Sequence, residues 1–300
     1  MYLSGTEPVM QSQKPGETLE PGLRRVTAPN PSPMTFTGTQ TYILGEGDVV
    51  VIDPGPLSPP HMDAILAALH PGERITKILI THSHLDHSPL ARPLAEATGA
   101  KVYAAGPSDW GRSAVMTGLG GAVGGGEGVD TDFAPDEQIA EGDIIDGIEV
   151  LETPGHMANH LSFVWRDALF SGDLVMGWST SLVSPPDGDM TAFFASLDKL
   201  QTRSDRLYYP GHGDPVADPQ ARCAELIAHR RTREAQILEA LKTIGPATAD
   251  TLARHIYTDV APALLPAAAR NVLAHLIDLT TRARIAPKGP LQADTLFEAD

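Results

Sequence analysis

Apolar positions in the first two-thirds of the chain come in short runs separated by turn residues. Thr41-Tyr42-Ile43-Leu44 and Val49-Val50-Val51-Ile52 predict two strands joined by the turn Gly45-Glu46-Gly47-Asp48. After Pro59-Pro60, the spacing of Met62, Ile65, Leu66 and Leu69 predicts a helix with one apolar face. Ile78-Leu79-Ile80 predicts a buried strand, and further strands are expected at 102–103, 148–151, 161–164, 168–170 and 207–209, with helices between some of them. Strands and helices mixed in this way argue for a layered α/β domain.

Two stretches break the pattern. Between Ser108 and Glu141 stand Gly118, Gly120, Gly121, Gly124, Gly125, Gly126 and Gly128, too many glycines to favour a regular element. Loops this long are usually functional or mobile, so a lid or substrate wall is expected, with Leu119 and Val123 as its apolar surface. The bland alternative is a solvated insertion. After Pro219 the strand signals fade. Helices are expected over 221–243, from a Thr248 cap to Ile256 and over 267–281, followed by an edge strand at Arg284-Ile285-Ala286. Three helices and a short strand pair resemble a winged-helix module. The expected organisation is a loosely ordered polar tail over 1–22, a main domain over 23–217 and the winged-helix-like module over 218–300.

Charge narrows the functional classes. Lys and Arg total 22 against 38 Asp and Glu, a formal net charge of −16, which disfavours non-specific binding to nucleic acid or anionic membrane. The single cysteine, Cys223, excludes an intrachain disulfide, and no apolar stretch is long enough to span a membrane. The N-terminus has neither the basic start nor the apolar centre of a secretory signal, so the cytoplasm is the default expectation.

The chemistry concentrates in Thr81-His82-Ser83-His84-Leu85-Asp86-His87, which places four potential ligands between an apolar strand and a helix start at Pro89. Imidazole and carboxylate suit zinc, and manganese or iron as alternatives. One turn cannot encircle a metal. Three further candidates follow predicted strands and are flanked by Gly or Pro: His156 in Thr153-Pro154-Gly155-His156, Asp173 in Ser171-Gly172-Asp173, and His212 in Pro210-Gly211-His212-Gly213. A lone loop histidine is usually a surface residue and an Asp after Gly usually a turn former. Four such motifs in one chain are not readily explained that way.

The ordered set HxHxDH, TPGH, SGD and PGHG resembles the metallo-β-lactamase superfamily, nearest its glyoxalase II-like and β-lactamase-like hydrolases. Asn30-Pro31-Ser32-Pro33, Thr37-Gly38-Thr39-Gln40-Thr41-Tyr42, Val51-Ile52-Asp53-Pro54-Gly55, and His229-Arg230 with Arg233-Glu234 fit that subgroup. The resemblance implies an αββα sandwich with two divalent ions at one sheet edge. It implies that His82, His84 and His156 hold one ion, that Asp86, His87 and His212 hold the other, and that Asp173 bridges both. Asp53 would orient a ligand histidine. His160 is expected either to line the pocket or to make a structural hydrogen bond.

Two divalent ions beside a water supply hydroxide near neutral pH and stabilise charge developing on a carbonyl or phosphoryl oxygen. Asp86 can also accept a proton, so Asp86 and Asp173 are the expected catalytic carboxylates. Cys223 lies away from every motif and is expected only to pack. Of the other histidines, His61, His70, His255 and His275 fall in helical patterns and are expected on the surface or in the core.

The expected substrate is a small-molecule ester, thioester or lactone. The alternative is an endoribonuclease acting on single-stranded RNA, with the basic run His229-Arg230-Arg231-Thr232-Arg233 as a phosphate face, and a third is a non-catalytic regulator that uses the winged helix on DNA. Basic residues are sparse between Lys101 and Lys199, and those usually associated with a glutathione carrier are not recognisable.

Overall fold

Alternate residues of the central strands face opposite layers, and this builds the molecule. The structure, a computed structural model, describes residues 16–299. Of the tail expected over 1–22, residues 1–15 lie outside the described residues. Its remainder is not a tail, because strand β1 (Glu17–Glu20) pairs antiparallel with β2 (Leu23–Thr27).

The first sheet continues through β3 (Gln40–Leu44), β4 (Asp48–Ile52), β5 (Arg74–Leu79), β6 (Lys101–Ala104) and the short β7 (Glu137–Gln138), in chain order. Pairing turns from antiparallel to parallel at β4, so connections cross over. Helix α1 (Pro59–Ala67) makes the first crossing and α2 (Ala91–Thr98) the second. Ser58 caps α1, and Pro59 and Pro60 occupy its first turn, where no intrahelical donor is needed. The glycine-rich segment contains a short helix, α3 (Ala114–Leu119), and a 3-10 turn (Gly120–Val123), so the expectation of no regular element there is corrected.

The second sheet comprises β8 (Ile144–Ile145), β9 (Ile148–Glu152), β10 (Leu161–Trp165), β11 (Ala168–Gly172) and β12 (Leu207–Pro210). Helix α4 (Met190–Gln201), capped by Asp189, carries the parallel crossing from β11 to β12. The two sheets face each other. Tyr42, Leu44, Val50 and Ile52 pack against Val150, Leu161, Phe163 and Phe170 in the layer between them. The intervening residues Ile43, Val49 and Val51 point outward and are covered by Ile65 of α1 and Leu94 of α2. This is the expected αββα sandwich.

Helix α5 (Pro219–Ile244) follows, then α6 (Ala249–Ile256) capped by Thr248, α7 (Leu265–Thr281) and the strand pair β13 (Ile285–Pro287) and β14 (Phe297–Ala299). Their core joins Ile237, Leu252, Leu276 and Phe297. The first half of α5 belongs elsewhere: Cys223 and Leu226 share a buried cluster with Leu169, Phe193 and Tyr208 on the outer face of the second sheet. Packing is therefore continuous across position 217.

Candidate metal centre

Strand ends deliver the charged residues to one edge of the sandwich. Asp53 follows β4, the 81–88 turn follows β5, Asp173 follows β11 and His212 follows β12. The two sheets are tied there by Gln40 N donating to Gly211 O at 2.8 Å, and Gly211 N extends the β11–β12 pairing by donating to Gly172 O at 2.8 Å.

The seven candidate ligands converge. His84 Nδ1 lies 3.0 Å from His82 Nε2 and 2.9 Å from His156 Nε2. His212 Nε2 lies 3.1 Å from Asp86 Oδ2 and 3.2 Å from Asp173 Oδ2, while His87 Nε2 is 3.5 Å from both Asp86 Oδ2 and Asp173 Oδ1. Asp173 Oδ2 is also 3.8 Å from His156 Nε2, so this carboxylate stands between the two groups. Three donor sets could each hold a cation: His82, His84 and His156; Asp86, His87 and His212; and His82, His87 and Asp173, which joins them.

The surrounding acceptors decide which nitrogen each ring bares. Thr81 Oγ1 donates to Asp53 Oδ2 at 2.6 Å and so accepts from His82 Nδ1 at 2.9 Å. His87 Nδ1 donates to Asp53 Oδ2 at 2.9 Å, His156 Nδ1 to the Leu182 carbonyl at 2.6 Å, and His212 Nδ1 to the Gly38 carbonyl at 3.3 Å. In each of these four rings Nδ1 is engaged by an outer acceptor, so Nε2 is the nitrogen aimed inward. Inward-facing ring nitrogens set among carboxylates call for cations, whether protons or a metal, and outer hydrogen bonds of this kind orient metal ligands. Asp173 Oδ1 is buried with no hydrogen-bond partner, a second sign that the donor set fits a divalent ion.

Proton affinities agree. Burial holds His84 down to about 3 and lowers His82 and His156. Burial also opposes a charge on His87 and His212, yet neighbouring carboxylates outweigh it. Asp86, Asp173 and Asp53 raise His87 well above its ordinary value, and Asp173 and Asp86 push His212 up to about 9. Protons are drawn to the acidic half of the cluster, where a cation would compete for the same electrons.

His160 is buried and does not line the cavity. Its Nε2 accepts from the Asp173 backbone N–H at 3.2 Å and its Nδ1 lies 2.9 Å from Thr153 Oγ1, so the structural hydrogen-bonding expectation describes it. Of the helical-pattern histidines, His61 and His275 are fully buried. Thr81, Ser181 and the Leu182 and Gly38 carbonyls escaped the sequence reading. Thr81 was within reach as the residue opening the histidine cluster, whereas backbone carbonyls leave no mark in a sequence.

A cavity of about 440 Å³ opens onto the centre, with Met34, Leu85, Met176, Trp178 and Leu182 among its apolar lining. Phe36 stacks on Trp178 with ring centroids 4.9 Å apart. From the glycine-rich segment only Glu127 and Gly128 reach the cavity. Val123 is buried against the C-terminal helices, with Leu119 packed beside it, so the expectation that these two form the apolar wall is corrected. The run 229–233 is not one open basic face: Arg230 is 1% exposed, Arg231 pairs with Glu234 and the Arg233 guanidinium lies over Tyr257. No helix among the described residues is long and apolar enough to cross a membrane.

The sequence model of the metallo-beta-lactamase superfamily matches residues 34–212, and that of the beta-lactamase associated winged helix domain matches 248–289. An atrochrysone carboxyl ACP thioesterase of Aspergillus fumigatus is 32% identical over 237 residues, covering 76% of this chain and 67% of the relative. A beta-lactamase-like protein 2 homolog of Drosophila melanogaster is 30% identical over 278 residues, covering 87% and 88%. Among solved structures, a metallo-beta-lactamase family protein of Thermus thermophilus superposes with a TM-score of 0.76 at 25% identity, over 94% of this chain and 100% of that one.

Proposed function

The chain belongs to the metallo-beta-lactamase superfamily of hydrolases, and from that premise we propose that it hydrolyses small acyl thioesters at a binuclear metal centre. The carrying observation is the convergence of inward-facing Nε2 atoms from His82, His87, His156 and His212 around Asp173. In this reading His82, His84 and His156 hold one ion, Asp86, His87 and His212 hold the other, and Asp173 bridges them. Zinc is the metal we favour, on the all-nitrogen-and-oxygen donor set.

Two such ions supply polarisation of an acyl carbonyl and activation of water. The chain's own residues do the rest. Asp53, held by Thr81 N at 2.8 Å and Thr81 Oγ1 at 2.6 Å, fixes the His87 ring. Asp86 is the most exposed carboxylate of the cluster, at 27%, and borders the cavity; with Oδ2 turned toward His87 and His212, its other oxygen is the one placed to take a proton from an attacking water. The apolar lining takes the acyl group and excludes bulk water from the carbonyl.

Thioesters are preferred over other acyl compounds because a relative is named for thioester hydrolysis. The net charge of −16 and the internally paired arginines of α5 favour a small acyl compound over a polyanion. The test is initial rates of metal-loaded protein on aliphatic and aromatic acyl thioesters, aryl esters, lactones and a fluorogenic single-stranded RNA. Thioester hydrolysis abolished in His84→Ala is expected. RNA cleavage abolished by the same substitution, with no acyl hydrolysis, would overturn the proposal.

A further inference from the structure

Arg230, on α5, is the largest fully buried side chain of the described residues, at 1% exposure, and among those residues no carboxylate pairs with it. A buried guanidinium without a counter-ion is expensive, so its contacts matter. There are two hydrogen bonds: Nη2 donates to the Ser181 carbonyl, and Nη1 donates to Asn271 Oδ1 of α7 at 3.0 Å. Its face lies over the Phe193 ring of α4, 5.1 Å from the centroid. Asn271 Oδ1 accepts a second bond, from Val183 N at 3.0 Å. The C-terminal helices thus grip the backbone at residues 181 and 183.

The segment so gripped reaches the candidate ligands through Ser181 and Leu182. The carbonyl of the intervening Leu182 accepts from His156 Nδ1 at 2.6 Å and fixes the tautomer that bares Nε2. Ser181 Oγ donates to the Asp173 carbonyl and to the Leu174 carbonyl at 2.9 Å. One short segment, clamped from behind, therefore orients the His156 ring and holds the backbone that carries the Asp173 carboxylate.

We propose that Arg230 and Asn271 are positioning residues for the metal centre, acting through the 181–183 segment. The inference rests on the ligand assignment proposed above. It gives the helices of the C-terminal third a role in the chemistry without any of their side chains touching substrate or metal. It also explains why a cation is buried where an apolar residue of similar volume would pack at lower cost.

The experiment is zinc binding to metal-free full-length protein, by competition with a chromophoric chelator, for wild type, Arg230→Gln, Asn271→Leu and Asn271→Asp. The melting temperature of each metal-free variant and the visible spectrum of its cobalt-substituted form are measured alongside. Asn271→Asp keeps the oxygen that accepts from Arg230 and Val183, so it serves as the conservative rescue. The expected result is zinc affinity weakened about 10–100-fold in Arg230→Gln and Asn271→Leu, with an altered cobalt spectrum, and near-wild-type affinity in Asn271→Asp. Should Arg230→Gln fail to fold, the two Asn271 variants decide alone. Folded variants that bind zinc as tightly as wild type, or that merely melt earlier with an unchanged cobalt spectrum, would overturn the inference while leaving the ligand assignment intact. A wild-type protein that binds no zinc would overturn both.

Discussion

At position 211 only glycine fits: a Cβ there would sit 2.4 Å from Asp173 Oδ1 and 2.7 Å from His87 Cε1. The PGHG motif is thus a clearance as much as a turn. The same closeness separates the roles of Asp173 and His160. Asp173 reaches both ligand groups, whereas His160 belongs to neither: it accepts from the Asp173 backbone N–H and stacks on His82 with ring centroids 5.1 Å apart. Asp173→Ala is expected to abolish activity and release metal. His160→Ala should retain metal and lose activity about 10–100-fold, as for outer-shell partners generally. Kinetics with metal content measured on both variants decide it, and equal losses would mean the ligands are misassigned. The ligand candidates were legible because HxHxDH and three further motifs stand in one ordered set, which surface histidines and turn aspartates taken singly do not explain. Their supports were not, because Leu182 and Gly38 act through carbonyls that every residue possesses.

At the scale of elements, β4 and the ends of β3 and β5 were legible from short apolar runs, the mark of strands covered on both faces. Helix α4 was not singled out, although its start signal is local, Asp189 accepting from Thr191 N at 2.9 Å; its apolar residues Phe193, Phe194 and Leu197 do not by themselves distinguish it from a buried strand. The glycine run misled in the other direction, since Val123 found partners in the distant C-terminal core. Helix α5 shows the limit of drawing boundaries from pattern alone. Leu226 packs with the second sheet's outer layer, so Leu226→Ala should destabilise the sandwich by about 2–5 kcal/mol in chemical denaturation. A loss under about 1 kcal/mol would show that this end of α5 is a detachable appendage. Further along the same helix, burial raises the Glu234 carboxyl, but hydrogen bonds from Arg282 and Arg231 outweigh it and hold the group below its usual range. A depressed carboxylate contributes stability above its unfolded value of 4.5 and loses it as pH falls through the folded one. Metal-free Glu234→Gln should therefore be less stable than wild type at pH 7, with the gap closing below about pH 4. Denaturation midpoints at both acidities check this, and a constant gap would contradict it.

For the whole molecule, the acidic balance and the metal centre belong together. Asp53, Asp86 and Asp173 gather at one edge of a chain already at −16, and only two of the nearby imidazoles are drawn toward protonation. Divalent cations held there would relieve that repulsion and order the four inward-facing ring nitrogens at once. The fold class and its C-terminal module were readable from motif order and helix pattern, because both are written along the chain. The shape of the cavity was not, because Met34, Leu85, Met176 and Trp178 come from separate stretches of loop that only the closed sandwich brings together. The binuclear reading is tested most directly by metal stoichiometry. Metal-free protein titrated with zinc, freed of excess ion and analysed by elemental analysis should hold two ions per chain, bound by nitrogen and oxygen donors alone. One ion or none, after saturation with zinc, manganese or iron in turn, would contradict it.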